Sequence, residues 1–113
     1  MPGLLLRAAL RRRRFLRGKK MKRIEIFLTR KWFDLIASGE KTSEYRQVKP
    51  FWTARLKEAQ PGDEIIFRRG YSHVITVRKL TGVSIVEGWQ LPRAEREFFG
   101  PCNDIKFYKV DFK

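Results

Sequence analysis

Positions 39 to 46 read Gly39-Glu40-Lys41-Thr42-Ser43-Glu44-Tyr45-Arg46, which puts four charges and two aliphatic hydroxyls into one short stretch. On a β-strand, Thr42, Glu44 and Arg46 share one face while Ser43 and Tyr45 take the other, and Lys41 just before can lean over the first. A carboxylate between two cations is expected to stay ionised, with its pKa pulled down, and to accept a hydrogen bond from a base or sugar. Arg46 could stack on a base or grip phosphate as a planar fork, with Lys41 as a point charge. The chemistry such a set offers is recognition of a nucleotide by its base, sugar or phosphate. The plain alternative is a solvated ion pair worth about 0–1 kcal/mol.

Other residues extend the candidate surface. Tyr71, between Arg69 and His73 at an expected hairpin tip, is placed for stacking on a base, a contact worth about 1–3 kcal/mol. Trp32, Trp52 and Trp89 could stack as well, although Trp32 and Trp52 fall on the apolar faces of their helices and read as core. Arg68, Arg69, Arg78 and Lys79 lie on paired strands and could form a basic stripe along a phosphate backbone, or serve as ordinary surface charge. The ligand-binding set is therefore Lys41, Thr42, Glu44, Arg46, Arg68 and Tyr71. His73 and Cys102 are each the only residue of their type. No disulfide, metal site or cofactor is expected from them.

The elements that position these residues follow from periodicity. Lys22 to Leu28 alternates around Ile24, Ile26 and Leu28 as a strand. Thr29 could cap a helix over Arg30 to Ser38 through its hydroxyl, with Gly39 at the left-handed stop. Glu40 to Arg46 reads as a loop entering a strand. A helix follows from Pro50 through Trp52, Leu56 and Ala59, ended by Gln60-Pro61-Gly62-Asp63. Glu64 to Arg69 and His73 to Leu80 form a hairpin around Gly70-Tyr71, and Gly82 bulges or bends the chain before Val83-Ser84-Ile85-Val86. Leu91 to Phe99 makes a short helix with Pro92 in its first turn, Arg93 to Glu97 on its solvated side and Phe98-Phe99 anchoring the other. Asp104 to Phe112 is the last strand. The expected class is α+β: a curled sheet or small β-barrel of about five or six strands with two or three short helices.

Length and composition set the outer bounds. One domain with one core fits 113 residues, of which 42% are hydrophobic. The formal charge of +14 points to a polyanionic partner, but eight of the 26 basic residues lie in residues 1–20, which carry no acid. From Met21 onward 18 basic residues face 12 acidic ones, a net +6. The leader reads as a phosphate-neutralising arm, a transit-like peptide, or upstream sequence with Met21 as the start, this last being favoured. No apolar run approaches the roughly 20 residues needed to span a bilayer, and the single cysteine fits a cytoplasmic, metal-free protein with no membrane partner.

From Met21 to Lys113 the chain resembles the ASCH domains, relatives of the PUA RNA-binding modules. The aromatic-led helix Trp32-Phe33-Asp34-Leu35-Ile36 precedes Gly39, Lys41, Glu44 and Arg46 in the order Gly-x-Lys-x-x-Glu-x-Arg, and Pro61-Gly62-Asp63 with the Ile65-Ile66-Phe67-Arg68 strand extends the likeness. The resemblance implies a PUA-like barrel with a cleft beside the motif and a role in binding RNA or a modified nucleoside. Some ASCH relatives are amidohydrolases that remove the acetyl group of N4-acetylcytidine with a lysine, a threonine and a downstream glutamate. Lys41 matches the lysine, Glu44 stands where the threonine belongs, and Glu87 is a candidate for the glutamate. A carboxylate is a poor substitute for a hydroxyl nucleophile, which makes hydrolysis, with Lys41 and Glu44 as the catalytic residues the resemblance implies, the alternative reading and a protein-interaction accessory the second alternative.

Overall fold

The structure, a computed structural model, describes residues 21–113; the expectations for residues 1–20 lie outside them. Strand β1 (Arg23–Leu28) turns Ile24, Ile26 and Leu28 into the core and Arg23, Glu25 and Phe27 outward. Helix α1 (Arg30–Ala37) lays Trp32, Phe33 and Ile36 on that core, the three-and-four spacing of an amphipathic helix. Thr29 stands at the N-cap with extended backbone, but its hydroxyl makes no capping bond. Its carbonyl instead accepts the Phe33 N–H at 2.9 Å, so the expected hydroxyl cap is not used. Gly39 stops the helix at φ 87°, a conformation that glycine adopts without a Cβ penalty. The returning Lys41 N–H donates to the Leu35 carbonyl at 3.0 Å, which pins the chain where the charged segment begins.

Strand β2 (Ser43–Gln47) and helix α2 (Pro50–Leu56) follow, the helix opening on proline as expected. It stops short of Ala59 because the buried Asp63 carboxylate organises the next turn, accepting N–H bonds from Gln60 at 2.8 Å and Lys22 at 3.1 Å. Strand β3 (Glu64–Arg69) turns through Gly70 into β4 (Ile75–Glu87), giving the expected hairpin. His73 is exposed there. The segment read as two strands is one 13-residue strand, and Gly82 sits at its bulge. A single 3₁₀ turn (Gly88–Gln90) leads to α3 (Arg93–Phe99) and then β5 (Lys106–Phe112).

The five strands form one sheet in the order β1-β3-β4-β5-β2, with β1 parallel to β3 and every other pairing antiparallel. The first half of β4 pairs with β3 and the second with β5, so the bulge bends the sheet into a curled half-barrel. One core cluster fills its concave side with Ile26, Ile36, Ile65, Phe67, Leu80 and Val110, all 2% exposed or less. Tyr45, Leu91, Cys102 and Phe107 form a second, smaller cluster. No described helix is long and apolar enough to cross a membrane.

Candidate nucleotide site

The curl leaves β1 and β2 as the two edges of the sheet, and they meet through a side chain: Arg46 Nη2 donates to the Phe27 carbonyl at 3.1 Å. Beside this seam opens a cavity of about 220 Å³. Phe27, Leu28 and Thr29 line it from β1 and its end, Lys41, Glu44, Tyr45 and Arg46 from β2 and the loop before it, Trp32 from α1, and Glu95, Phe98 and Phe99 from α3.

Its polar wall is a chain of four charges. Arg46 Nε and Nη2 both lie 2.9 Å from Glu44 Oε2. Lys41 Nζ stands 3.7 Å from Glu44 Oε1 and 2.5 Å from Glu95 Oε2. These are enclosed groups, since the side chains of Lys41, Glu44 and Glu95 are 10%, 9% and 11% exposed and that of Arg46 is 24% exposed. Aromatic rings complete the packing. Lys41 Nζ sits 5.1 Å from the Trp32 ring and 5.3 Å from that of Tyr45, and the Arg46 guanidinium lies 5.0 Å from Trp52.

Burial reverses one expectation. Desolvation raises the Glu44 pKa above its ordinary 4.5, outweighing the pull of Arg46 and Lys41 and the hydrogen bond from Arg46, while Glu95 adds to the rise. Taking a carboxylate out of water favours its neutral form more than the two neighbouring cations favour the charged one. The same desolvation raises the Tyr45 hydroxyl, with Glu95 and Asp111 adding to it.

The sequence-predicted residues divide. Lys41, Glu44 and Arg46 come together on the cavity wall. Thr42 is exposed and is not among the cavity-lining residues, and the Ser43 hydroxyl bonds Asp111 at 2.5 Å. Arg68 pairs with Glu25 at 2.6 Å, with its guanidinium 5.9 Å from the Phe27 ring. Tyr71 is 94% exposed, its ring centroid 5.3 Å from that of Phe27 at the cavity lip. The basic stripe does not form, because register puts Lys79 opposite Glu64 but Arg78 opposite the buried Ile65, on opposite faces of the sheet. Arg78 instead donates to the Ile36 and Ala37 carbonyls at the end of α1.

Helix α3 brings the largest correction. Glu95, expected on the solvated side with Arg93 and Glu97, is buried against Lys41. Phe98, expected as an anchor, is 60% exposed at the cavity, with its ring edge-on to Trp32 at 5.7 Å. Glu87 pairs with Lys106 at 2.6 Å and does not line the cavity, so the downstream carboxylate beside Lys41 is Glu95. The i,i+4 pair of Arg93 and Glu97 marks a solvated flank, and Glu95, between them in sequence, projects to the other side of the same helix.

No family model and no curated protein sequence matches the chain. Solved structures do. An ASCH variant protein from Zymomonas mobilis superposes with a TM-score of 0.59 at 18% identity, covering 81% of this chain and 68% of that one. The ASCH domain from Lactobacillus crispatus JV V101 gives 0.60 at 17% identity, over 81% and 79% of the two chains. A second Zymomonas mobilis variant gives 0.60 at 18%, over 81% and 69%. The chain thus has an ASCH-like fold, the curled PUA-like half-barrel with three helices.

Proposed function

We propose that the chain is a binding module that holds one base of RNA, or a modified nucleoside, in the seam cavity without covalent chemistry. The observation that carries this is a pocket walled by Phe27, Trp32, Phe98 and Phe99 with an enclosed Lys41–Glu44–Arg46–Glu95 network on one side. The aromatic walls suit the faces of a planar heterocycle. The network supplies oriented donors and acceptors, positioned by its own ion pairs, for the edge. At about 220 Å³ the cavity lies below the ~300–1,000 Å³ of sites for drug-sized ligands, which favours a single base as the inserted group. Hydrolysis has less support. Glu44 occupies the place of the hydroxyl nucleophile with Oε2 held by Arg46, Thr42 is not in the lining, and Ser43 is bonded to Asp111.

Titration calorimetry with the four common ribonucleosides and N4-acetylcytidine tests the reading. At least one should bind, and Phe98→Ala should weaken that binding by about 1–3 kcal/mol, roughly 5- to 150-fold, the contribution of one stacked aromatic. Absence of binding by every nucleoside at millimolar concentration would sink the proposal. Chromatography of the N4-acetylcytidine mixture reports on the hydrolytic alternative, which predicts cytidine and acetate as products.

A further inference from the structure

We infer that the base held in the cavity belongs to a single-stranded polynucleotide, and that the strand continues over the outer side of the seam into a second, cationic and aromatic groove. This rests on the base-binding reading above.

The groove, of about 350 Å³, lies against the outward side chains of β1 and the start of α2. It is not a separate depression, because Phe27 and Arg46 line both it and the cavity. Beyond them come Arg23, Phe51, Trp52 and Arg55. Three arginines share this lining with one carboxylate: Glu25 pairs with Arg68 at 2.6 Å, while Arg23 pairs with Glu64 at 3.1 Å and Arg46 with Glu44 at 2.9 Å. Within the lining itself, three cations against one acid favour an anionic occupant.

Ring contacts narrow the chemistry. The Arg55 guanidinium lies 3.6 Å from the centre of the Phe51 ring, and Phe51 meets Trp52 edge-on at 5.0 Å. Phe51 is nonetheless 54% exposed, and Phe27, on the ridge between the two hollows, is 43% exposed. Large aromatics left open among arginines are the pattern by which single strands are held, with bases on the rings and phosphates on the cations. A free nucleoside would fill the cavity and leave this second surface unused. A duplex keeps its bases stacked and offers none to the cavity, so a single strand is the occupant that uses both.

Fluorescence anisotropy with labelled heptamers on the full chain, alongside nucleoside titration, tests this. A heptamer should bind at least about ten-fold more tightly than the best nucleoside, a gain of about 1.4 kcal/mol. RNA and DNA heptamers tell which sugar is preferred, and the gain with either supports a strand. Arg55→Gln with Phe51→Ala should cut heptamer affinity about ten-fold or more and leave nucleoside affinity within two-fold. Arg23→Gln with Arg55→Gln, which keeps the rings, should lower the slope of log affinity against log salt by about 0.7 for each phosphate that is no longer neutralised. Thermal melts confirm that each variant is folded. If nucleosides bind but heptamers gain nothing, or the groove variants bind heptamers as the native chain does, the strand inference is wrong and the base-binding reading stands. If neither nucleoside nor heptamer binds, both fall.

Discussion

Glu44 has two cations within 3.7 Å and yet holds a proton more tightly than a free carboxyl does. The reason is enclosure: water that would solvate the charge is excluded, and Lys41 divides its attraction between Glu44 and Glu95. The raised value has a consequence for stability whose sign is determined. The folded state keeps the Glu44 proton at pH values where the unfolded chain, near 4.5, has released it, so across that window the folded state holds more protons. Stability contributed by this group is therefore complete below about pH 4.5 and is lost as pH rises through the folded-state value. Urea unfolding of the native chain and of Glu44→Gln across pH 4 to 8 checks it. The native-minus-variant difference should fall with rising pH, and a flat or rising difference would contradict the assignment.

Elements, rather than single residues, bring the fourth charge to the cavity. Glu95 reaches Lys41 because α3 is held by the 3₁₀ turn before it, and that turn depends on Gly88. The Gly88 N–H donates to the Ile105 carbonyl at 2.7 Å, and a Cβ at position 88 would lie 1.7 Å from the Cys102 carbonyl oxygen. Backbone must move to admit a methyl group there, so Gly88→Ala should lower unfolding free energy by about 3 kcal/mol or more. If α3 shifts with the turn, nucleoside affinity weakens too; calorimetry and a denaturant titration measure the two effects separately. Nothing local reveals this glycine, because the constraint comes from a carbonyl fourteen positions away in sequence. The same holds for Glu95, whose flanking Arg93 and Glu97 give the segment the look of a solvated face. What could be read was what periodicity encodes: β1 from its alternation, α1 from Trp32, Phe33 and Ile36, the hairpin at Gly70, and the bulge at Gly82. Lys41, Glu44 and Arg46 were legible as a group because strand geometry places Glu44 and Arg46 on one face. The direction of the Glu44 pKa was not, since it depends on how deeply α3 encloses the site.

For the described molecule as a whole, net charge and site charge are separate matters. Residues 21–113 carry +6, while the Lys41–Glu44–Arg46–Glu95 set is balanced, two cations against two acids. The excess lies elsewhere on the surface, part of it along the groove beside β1 and α2. Legibility falls off at this scale, since strand order and the meeting of the two sheet edges are set by pairings between residues far apart in the chain. The half-barrel remains unclosed: β1 and β2 end the sheet, and across their seam Arg46 reaches the Phe27 carbonyl with its side chain. Widening that seam therefore breaks no strand ladder, whereas exposing β4 means separating its first half from β3 or its second half from β5. Native-state hydrogen exchange should show two regimes, with edge amides of β1 and β2 exchanging by shallow local opening and the ladder-bonded amides of β4 by deeper opening that breaks the β3 or β5 ladder. An occupant lodged in the seam should slow the first class by ten-fold or more when it is present at about ten times its dissociation constant.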